Sequence, residues 1–62
     1  MNLYKVIITG SCDSVGYHDI YTVVAENFSI AIEKSKNKML LNRHVSEVEV
    51  ESIEIIEKDI VI

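Results

Sequence analysis

The stretch that decides the fold runs from Asp19 to Leu41 and reads DIYTVVAENFSIAIEKSKNKMLL. Up to Ala25 apolar side chains recur at every second residue, as in a β-strand. From Phe28 onward they recur at every third or fourth residue, which is the spacing of an amphipathic helix. Asn27 stands between the two patterns and suits a helix N-cap, because its side-chain oxygen can accept from free amides of the first turn. The stretch therefore predicts a strand, a cap and a helix.

The predicted helix has one apolar stripe that would face a sheet. Its members are Phe28, Ala31, Ile32, Ser35 and Met39. Lys34, Lys36 and Lys38 lie in the later turns, where positive charges interact favourably with the negative, C-terminal end of the helix dipole. Asn42 is predicted to end the helix in the left-handed conformation.

Further strands are predicted before and after this stretch. Leu3–Thr9 is the first strand and Ile20–Ala25 the second, and they are expected to pair as a hairpin. The Gly10–Asp19 segment between them is rich in turn-forming residues and is predicted to be a long loop. Gly10 and Gly16 are interpreted as turn glycines.

The third predicted strand, 48–57, contains a change of phase. Val48 and Val50 share one parity, and Ile53 and Ile55 have the opposite one. Either a bulge near Glu51–Ser52 adds one residue to the pairing, or pairing begins only at Ser52. The apolar segment 60–62 either forms a fourth strand or lies against another subunit.

These elements predict one small α+β domain over residues 1–62, with an antiparallel sheet, the order β-β-α-β-β and a single helix packed on one face. Both faces of the first two strands carry apolar residues. The face without the helix is thus expected to be an interaction surface. It would serve a homodimer, a docking site for another protein, or both.

The chain length also favours a second copy. Folding 62 residues removes roughly 6,000 Å² from water, of which ~3,500 Å² is apolar. At ~25 cal/mol/Å² the apolar part contributes about 85–90 kcal/mol, and ordering the chain costs ~90 kcal/mol. Cys12 is the only cysteine, so no internal disulfide adds stability. Homodimerisation is the expected source of the missing stability.

Composition excludes some classes of function. A net charge of −4 and a pI near 4.9 argue against direct nucleic-acid binding, which needs a basic surface. The N-terminus does not match a signal peptide, and no apolar run is long enough to span a bilayer. The lone thiol fits a reducing compartment. A cytoplasmic protein is the expectation.

No motif predicts catalysis, a metal or a cofactor. Cys12, Asp13, His18 and Asp19 lie close in sequence, but their spacing matches no standard metal site and is ordinary turn chemistry. A Cys12–His18 nucleophilic pair would lack an orienting third group. The two glycines form no phosphate-binding pattern. We therefore expect a protein that is not an enzyme and has no cofactor.

Eight residues are candidates for binding a partner. Tyr17 and His18 would form a recognition tip or fold back onto the sheet edge. Glu47, Glu49 and Glu51 would share one strand face. This acidic row would bind a basic partner, serve only as a solvated strand face, or contact the basic helix end of another subunit. The full set is Tyr17, His18, Lys34, Lys38, Arg43, Glu47, Glu49 and Glu51.

The segment TVVAENFSIAIEKSK, residues 22–36, resembles small β-β-α-β proteins encoded by phages of low-GC Gram-positive bacteria. Some small phage proteins inhibit host defence systems by binding a protein or sequestering a nucleotide signal. The resemblance suggests a role of this class. Together with the small size, the uncovered apolar sheet surface, the segregated charges and the lack of a catalytic motif, it favours a homodimeric inhibitor or modulator of a host protein that acts by surface contact, in the host cytoplasm if the protein is phage-encoded. The alternatives are a small-ligand or nucleotide-binding module, with Lys34, Lys38 and Arg43 lining a pocket between subunits, and a structural assembly protein.

Overall fold

The computed structural model describes residues 1–61, which form three strands and one helix. The elements are β1 (Asn2–Cys12), β2 (Val15–Ala25), α1 (Phe28–Arg43) and β3 (Glu47–Glu57). The strands make one antiparallel sheet in the order β2-β1-β3. The predicted α+β class is confirmed. The predicted order β-β-α-β-β is wrong at its last element, because no strand follows β3 within the described residues.

The hairpin of β1 and β2 is longer than predicted. Pairing runs from Asn2↔Ala25 to Cys12↔Val15, which leaves only residues 13 and 14 for the turn. Both turn residues have positive φ, 50° and 68°, as in the two-residue type I′ turn whose twist matches a hairpin. The predicted loop over 10–19 is therefore wrong, because a turn of Asp and Ser, both non-glycine, closes the hairpin and its neighbours pair as strand.

Gly10 lies inside β1 and is not a turn residue. A Cβ added at Gly10 would come within 2.6 Å of Met39 Sδ and 3.0 Å of Val45 Cγ2. The missing side chain thus lets the end of the helix and the segment after it approach the sheet. A Cβ added at Gly16, in β2, would meet no such atom within 4 Å. The interpretation of both residues as turn glycines is wrong.

The helix begins at the predicted cap and ends two residues after the predicted terminator. Asn27 Oδ1 accepts from the Ile30 N–H at 3.0 Å, so the N-cap is confirmed. The left-handed residue at the other end is His44, with φ 52°, and its N–H donates to the Leu40 carbonyl at 3.3 Å. The prediction that Asn42 ends the helix is wrong, since Asn42 remains helical.

The predicted apolar stripe faces the sheet. Ala31, Ser35 and Met39 are buried. The Ser35 hydroxyl donates to the Ala31 carbonyl at 2.9 Å, so this polar group is buried with a partner. Phe28 stays nearly half exposed, and its ring lies 5.1 Å from the ring of Tyr4, centroid to centroid.

The helix connects two strands that are parallel to each other. β2 and β3 both run antiparallel to β1, which lies between them, so α1 crosses over β1 and packs against all three strands. The buried apolar core between helix and sheet contains Tyr4, Val6, Ile8, Val23, Ala25, Ala31, Met39 and Val45. The described chain measures 40 × 17 × 14 Å, with a radius of gyration of 12.0 Å.

β3 contains the predicted bulge. Ile8 is opposite Val50 and Ile7 is opposite Ser52, which leaves Glu51 as the extra residue. The bulge near Glu51–Ser52 is therefore confirmed. It brings the apolar residues of β3 into one phase, all opposite β1 residues that face the helix. These residues are Val48, Val50, Ile53 and Ile55.

The rival interpretation, in which pairing begins only at Ser52, is wrong. Pairing of β3 with β1 starts at Glu47, which is opposite Ser11. A second register shift lies between Leu3 and Tyr4, where Ile56 is the extra residue of β3. This second irregularity was not predicted.

The residues after β3 continue alongside the start of β1. The Ile60 N–H donates to the Met1 carbonyl at 2.8 Å, and the Asp59 N–H donates to Asn2 Oδ1 at 3.0 Å. The predicted fourth strand over 60–62 is wrong for Ile60 and Val61, which have no strand structure. Its last residue lies outside the described residues.

Candidate interaction surface

The sheet face away from α1, here called the open face, has an apolar centre. Leu3 is opposite Val24 and Ile7 is opposite Ile20 in neighbouring strands, and all four side chains point away from the helix because they alternate with the core residues. None of them is fully buried, and Ile20 is 58% exposed. This is the apolar surface that the helix does not cover.

A row of glutamates from β3 borders this apolar centre. Four of them are opposite β1 residues of the open face, and Glu51, in the bulge, reaches the same face. The row consists of Glu47, Glu49, Glu51, Glu54 and Glu57. An open depression of about 430 Å³ lies near its start, lined by residues 9–11 and 47–49. The open face is thus apolar in the middle and acidic along β3.

Two of the five glutamates have ionic partners. Lys5 Nζ lies 3.7 Å from Glu54 Oε1, and His18 Nε2 lies 2.9 Å from Glu51 Oε2. Both pairs are exposed, so each adds little stability. Within residues 1–61, the other three glutamates of the row form no salt bridge. The row therefore keeps a net negative charge.

The opposite face carries a cluster of ring and charged side chains, the Asp19 cluster, formed by Tyr17, Asp19, Tyr21 and Arg43. Arg43 Nε and Nη2 each donate to one carboxylate oxygen of Asp19, both at 2.9 Å. The Tyr21 hydroxyl donates to Asp19 Oδ2 at 3.3 Å. The Arg43 guanidinium carbon lies 4.9 Å from the centre of the Tyr17 ring, a cation–π distance. The cluster ties the last turn of α1 to β2.

Electrostatics inside the Asp19 cluster favour the charged forms of both partners. The hydrogen bonds from Arg43 hold the pKa of Asp19 below its ordinary value of 3.8, and the charge of Arg43 and the Tyr21 hydroxyl act in the same direction. The hydrogen bond to Asp19, followed by its charge, raises the pKa of Arg43. The cluster is therefore a neutralised ion pair with a structural role.

Lys34 and Lys38 lie on the side of α1 that overhangs β2. They line an open groove of about 490 Å³ with Asn37 and residues 22–24 of β2. Lys34 Nζ donates to the Val24 carbonyl at 2.7 Å. Lys34 thus covers one end of the free edge of β2, a common protection of edge strands.

The eight predicted partner-binding residues fall into three places. Tyr17 and Arg43 belong to the Asp19 cluster, while Lys34 and Lys38 line the groove. The open face carries the remaining four, His18, Glu47, Glu49 and Glu51. Tyr17 and His18 are not at a hairpin tip, because they pair with Gly10 and Thr9 inside the sheet.

The apolar centre of the open face was not among the predicted site residues. The signal was present in the sequence, since Leu3 and Ile7 alternate with the core residues of β1. The Arg43–Asp19 pair joins residues 24 positions apart, and no local pattern indicates it.

The four chemistry-bearing residues near the hairpin turn do not converge. His18 and Asp19 are neighbours in a strand and point to opposite faces, toward Glu51 and Arg43 respectively. Cys12 Sγ lies 3.7 Å from Asp13 Oδ2. In the part of the chain that the structure describes, no group of three or more His, Cys, Asp or Glu side chains is arranged to hold a metal ion.

Comparison with protein-family models, with curated proteins and with solved structures gave no match. Among residues 1–61, no helix has the length and apolar character needed to cross a membrane.

Proposed function

We propose that this protein is a non-enzymatic binding protein whose open face contacts a basic surface of another protein. The observation that carries the proposal is the composition of that face, an apolar centre beside a row of five glutamates. Apolar side chains at the centre of an interface supply most of its affinity, and charges around them select the partner. A basic partner would satisfy the three glutamates that form no salt bridge among the described residues.

The biological form of this proposal is inhibition or modulation of a host protein by surface contact. Its support is the resemblance of residues 22–36 to small phage proteins. Contact through the open face would also be enough to block a partner, without any catalytic group. An acidic face of this kind suits a partner whose basic surface serves another purpose, such as binding nucleic acid. Occupying that surface would block it without turnover.

Charge reversal on the open face tests the proposal. Glu49→Lys should weaken binding at least tenfold, and added salt should weaken wild-type binding, because exposed charges are screened. The matched control is Glu33→Lys, which makes the same change at an exposed helix position. Each of the three proteins is used to capture partners from a host lysate. Calorimetry then measures the affinity for any partner that wild type and Glu33→Lys retain and Glu49→Lys does not. Equal retention by all three would refute the proposal.

The groove beside β2 supports a second candidate, the binding of a small anionic ligand. Lys34 and Lys38 both line it, whereas Arg43 is held by Asp19 and does not line it. Of the three residues predicted to line a ligand pocket, only Lys34 and Lys38 therefore remain candidates. Native mass spectrometry of purified protein would test it, since a bound metabolite should be lost in Lys38→Glu and kept in Lys36→Glu. A spectrum of ligand-free protein would count against this candidate.

A further inference from the structure

We propose that two copies of this chain pair through the free edges of their β2 strands, antiparallel, about a two-fold axis at Ile20. The result is one six-stranded sheet in which the two open faces are continuous. The inference does not rest on the proposed function, because it concerns the edge of the sheet and needs no partner protein.

The turn fixes which peptide groups of β2 point outward. In a hairpin closed by a two-residue turn, the residues flanking the turn exchange both backbone hydrogen bonds, and bonded pairs then alternate with unbonded ones. Because Cys12 and Val15 flank the turn, the odd-numbered residues of β2 bond to β1. The bond from Lys34 Nζ to the Val24 carbonyl agrees with this assignment. Outward-pointing peptides therefore belong to Gly16, His18, Ile20, Thr22 and Val24.

β2 is also the more regular edge. Its pairing with β1 has no register shift over all 11 residues, so its outward groups form an even row. β3, the other edge, has two register shifts, and bulges disrupt further pairing. Two copies joined through β3 would also bring their glutamate rows together, whereas the Asp19 charge of β2 is neutralised by Arg43.

The side chains of β2 select one register. With the axis at Ile20, this residue lies opposite Ile20 of the second copy, His18 lies opposite Thr22, and Asp19 lies opposite Tyr21. A shift that moved the axis to Asp19 would place Ile20 opposite His18 of the second copy, so that an imidazole replaces the isoleucine as the facing side chain. A shift to Tyr21 would separate the two isoleucines. The exposed Ile20, 58% accessible in one copy, is buried best in the first arrangement.

Lys34 sets the length of the paired segment. Its ammonium group occupies the Val24 carbonyl, so the stretch open to a second copy runs from Gly16 to Thr22. In the Ile20-centred register, three pairs lie wholly within that stretch, namely His18 with Thr22, Ile20 with Ile20 and Thr22 with His18. Each pair exchanges both backbone hydrogen bonds. Release of Val24 by the flexible lysine would extend the pairing at both ends.

The first experiment measures mass against concentration by sedimentation equilibrium and native mass spectrometry. Wild type should form dimers as its concentration rises from micromolar to sub-millimolar. Ile20→Lys places two like charges opposite each other and should remain monomeric, with the far-ultraviolet circular dichroism of wild type. Ile56→Lys makes the same change at a similarly exposed isoleucine of β3 (52% accessible) and should still dimerise. A monomeric wild type, or equal behaviour of the two variants, would overturn the proposal.

A second experiment tests the axis itself and remains decisive if Ile20→Lys fails to fold. Directly opposed residues of a bonded antiparallel pair have Cα atoms ~5.5 Å apart, which a disulfide can bridge. In a Cys12→Ser background, Ile20→Cys should therefore form a cross-linked dimer under mild oxidation at low protein concentration. Ile56→Cys in the same background should not. Equal cross-linking at both positions, or none at position 20, would contradict the two-fold axis.

Discussion

β2 and β3 flank β1, have 11 residues each and run in the same direction, yet they are built differently. β2 pairs without interruption, and its one aspartate is held by Arg43. β3 has two bulges and carries five glutamates on the open face. The difference shows how one sheet can have one edge open to pairing and one edge protected from it.

Bulges also change what a strand tolerates. In a regular strand every side chain's face depends on all the residues before it, because the period is two. A bulge contains one residue that no partner opposes. Strand β3 can therefore lose a residue that β2 cannot. Among the predictions below, the comparison of one deletion in β2 with one deletion in β3 has the largest expected effect on the free energy of unfolding.

Deleting Thr22 should be far more damaging than deleting Glu51. Without Thr22, either Val23 and Ala25 leave the core and Glu26 enters the place of Ala25, or Asp19 turns away from Arg43. Either outcome should cost about 2–4 kcal/mol, a large share of the ~3–9 kcal/mol expected for a domain of this size.

Deleting Glu51 removes the unopposed residue and leaves Val50 and Ser52 opposite their present partners. The expected cost is below about 1 kcal/mol, since only the exposed pair with His18 is lost. Urea unfolding followed by circular dichroism compares the two deletions. Similar midpoints for both would show that the bulge does not confer this tolerance.

The two glycines should respond in opposite directions to the same substitution. Gly10→Ala places a methyl group 3.0 Å from Val45 Cγ2 and 3.2 Å from the Glu47 carbonyl oxygen, at the junction of β1 with β3, and should destabilise by about 1–3 kcal/mol. Gly16→Ala, on β2, meets open space and has no positive φ. It should stabilise by about 0.4–1 kcal/mol, because the unfolded chain loses freedom.

Thermal unfolding of both alanine variants beside wild type makes this comparison in one series. A destabilised Gly16→Ala would mean that the backbone of β2 at position 16 does not accept a side chain, although no atom lies near the added methyl group. A neutral Gly10→Ala would mean that Met39, Val45 and the start of β3 move aside without cost.

The smallest effect concerns the neutralised charge on β2. The folded-state pKa of Asp19 is lowered, mainly by the hydrogen bonds from Arg43, so the unfolded chain binds more protons in acid. This contribution to stability is complete above the ordinary pKa of 3.8 and is lost as pH falls through the folded-state pKa.

Asp19→Asn should therefore lower the urea midpoint at neutral pH and converge with wild type in strong acid. Glu49→Gln removes the same charge on β3 without breaking an ion pair among the described residues, and serves as the matched control. Urea midpoints measured between neutral and strongly acidic pH decide the outcome. A constant gap between Asp19→Asn and wild type would contradict the role given to Arg43.

Local patterns were sufficient to predict the helix and the existence of three strands, but they did not predict the length of the hairpin strands, and they favoured a fourth strand that is not present at Ile60 and Val61. The cap at Asn27 and the buried stripe of Ala31, Ser35 and Met39 follow from spacing along the chain, and the structure confirms them. The change of phase in the third strand left two interpretations open, and only the pairing with β1 decides for the bulge. The hairpin turn was not predicted, because Asp13 and Ser14 adopt positive φ while both glycines lie within strands.

The candidate surface was only partly predictable. The glutamates of β3 and His18 were identified, but their arrangement depends on which residues of β1 they oppose. The choice of β1 as the central strand places Ile7 beside Ile20 and separates Arg43 from the two groove lysines. Strand order is a long-range property, and the local spacing of residues does not determine it.

The elongated outline of the molecule has a consequence for how it moves in solution. A chain of 62 residues with ordinary compactness would have a radius of gyration of ~10.6 Å, and this one has 12.0 Å with a long axis of 40 Å. Friction along and across that axis differs, so a single copy should tumble anisotropically and elute from a sizing column ahead of a sphere of equal mass. An early elution peak is therefore not by itself evidence of a dimer, and sedimentation equilibrium or native mass spectrometry is needed to separate shape from mass.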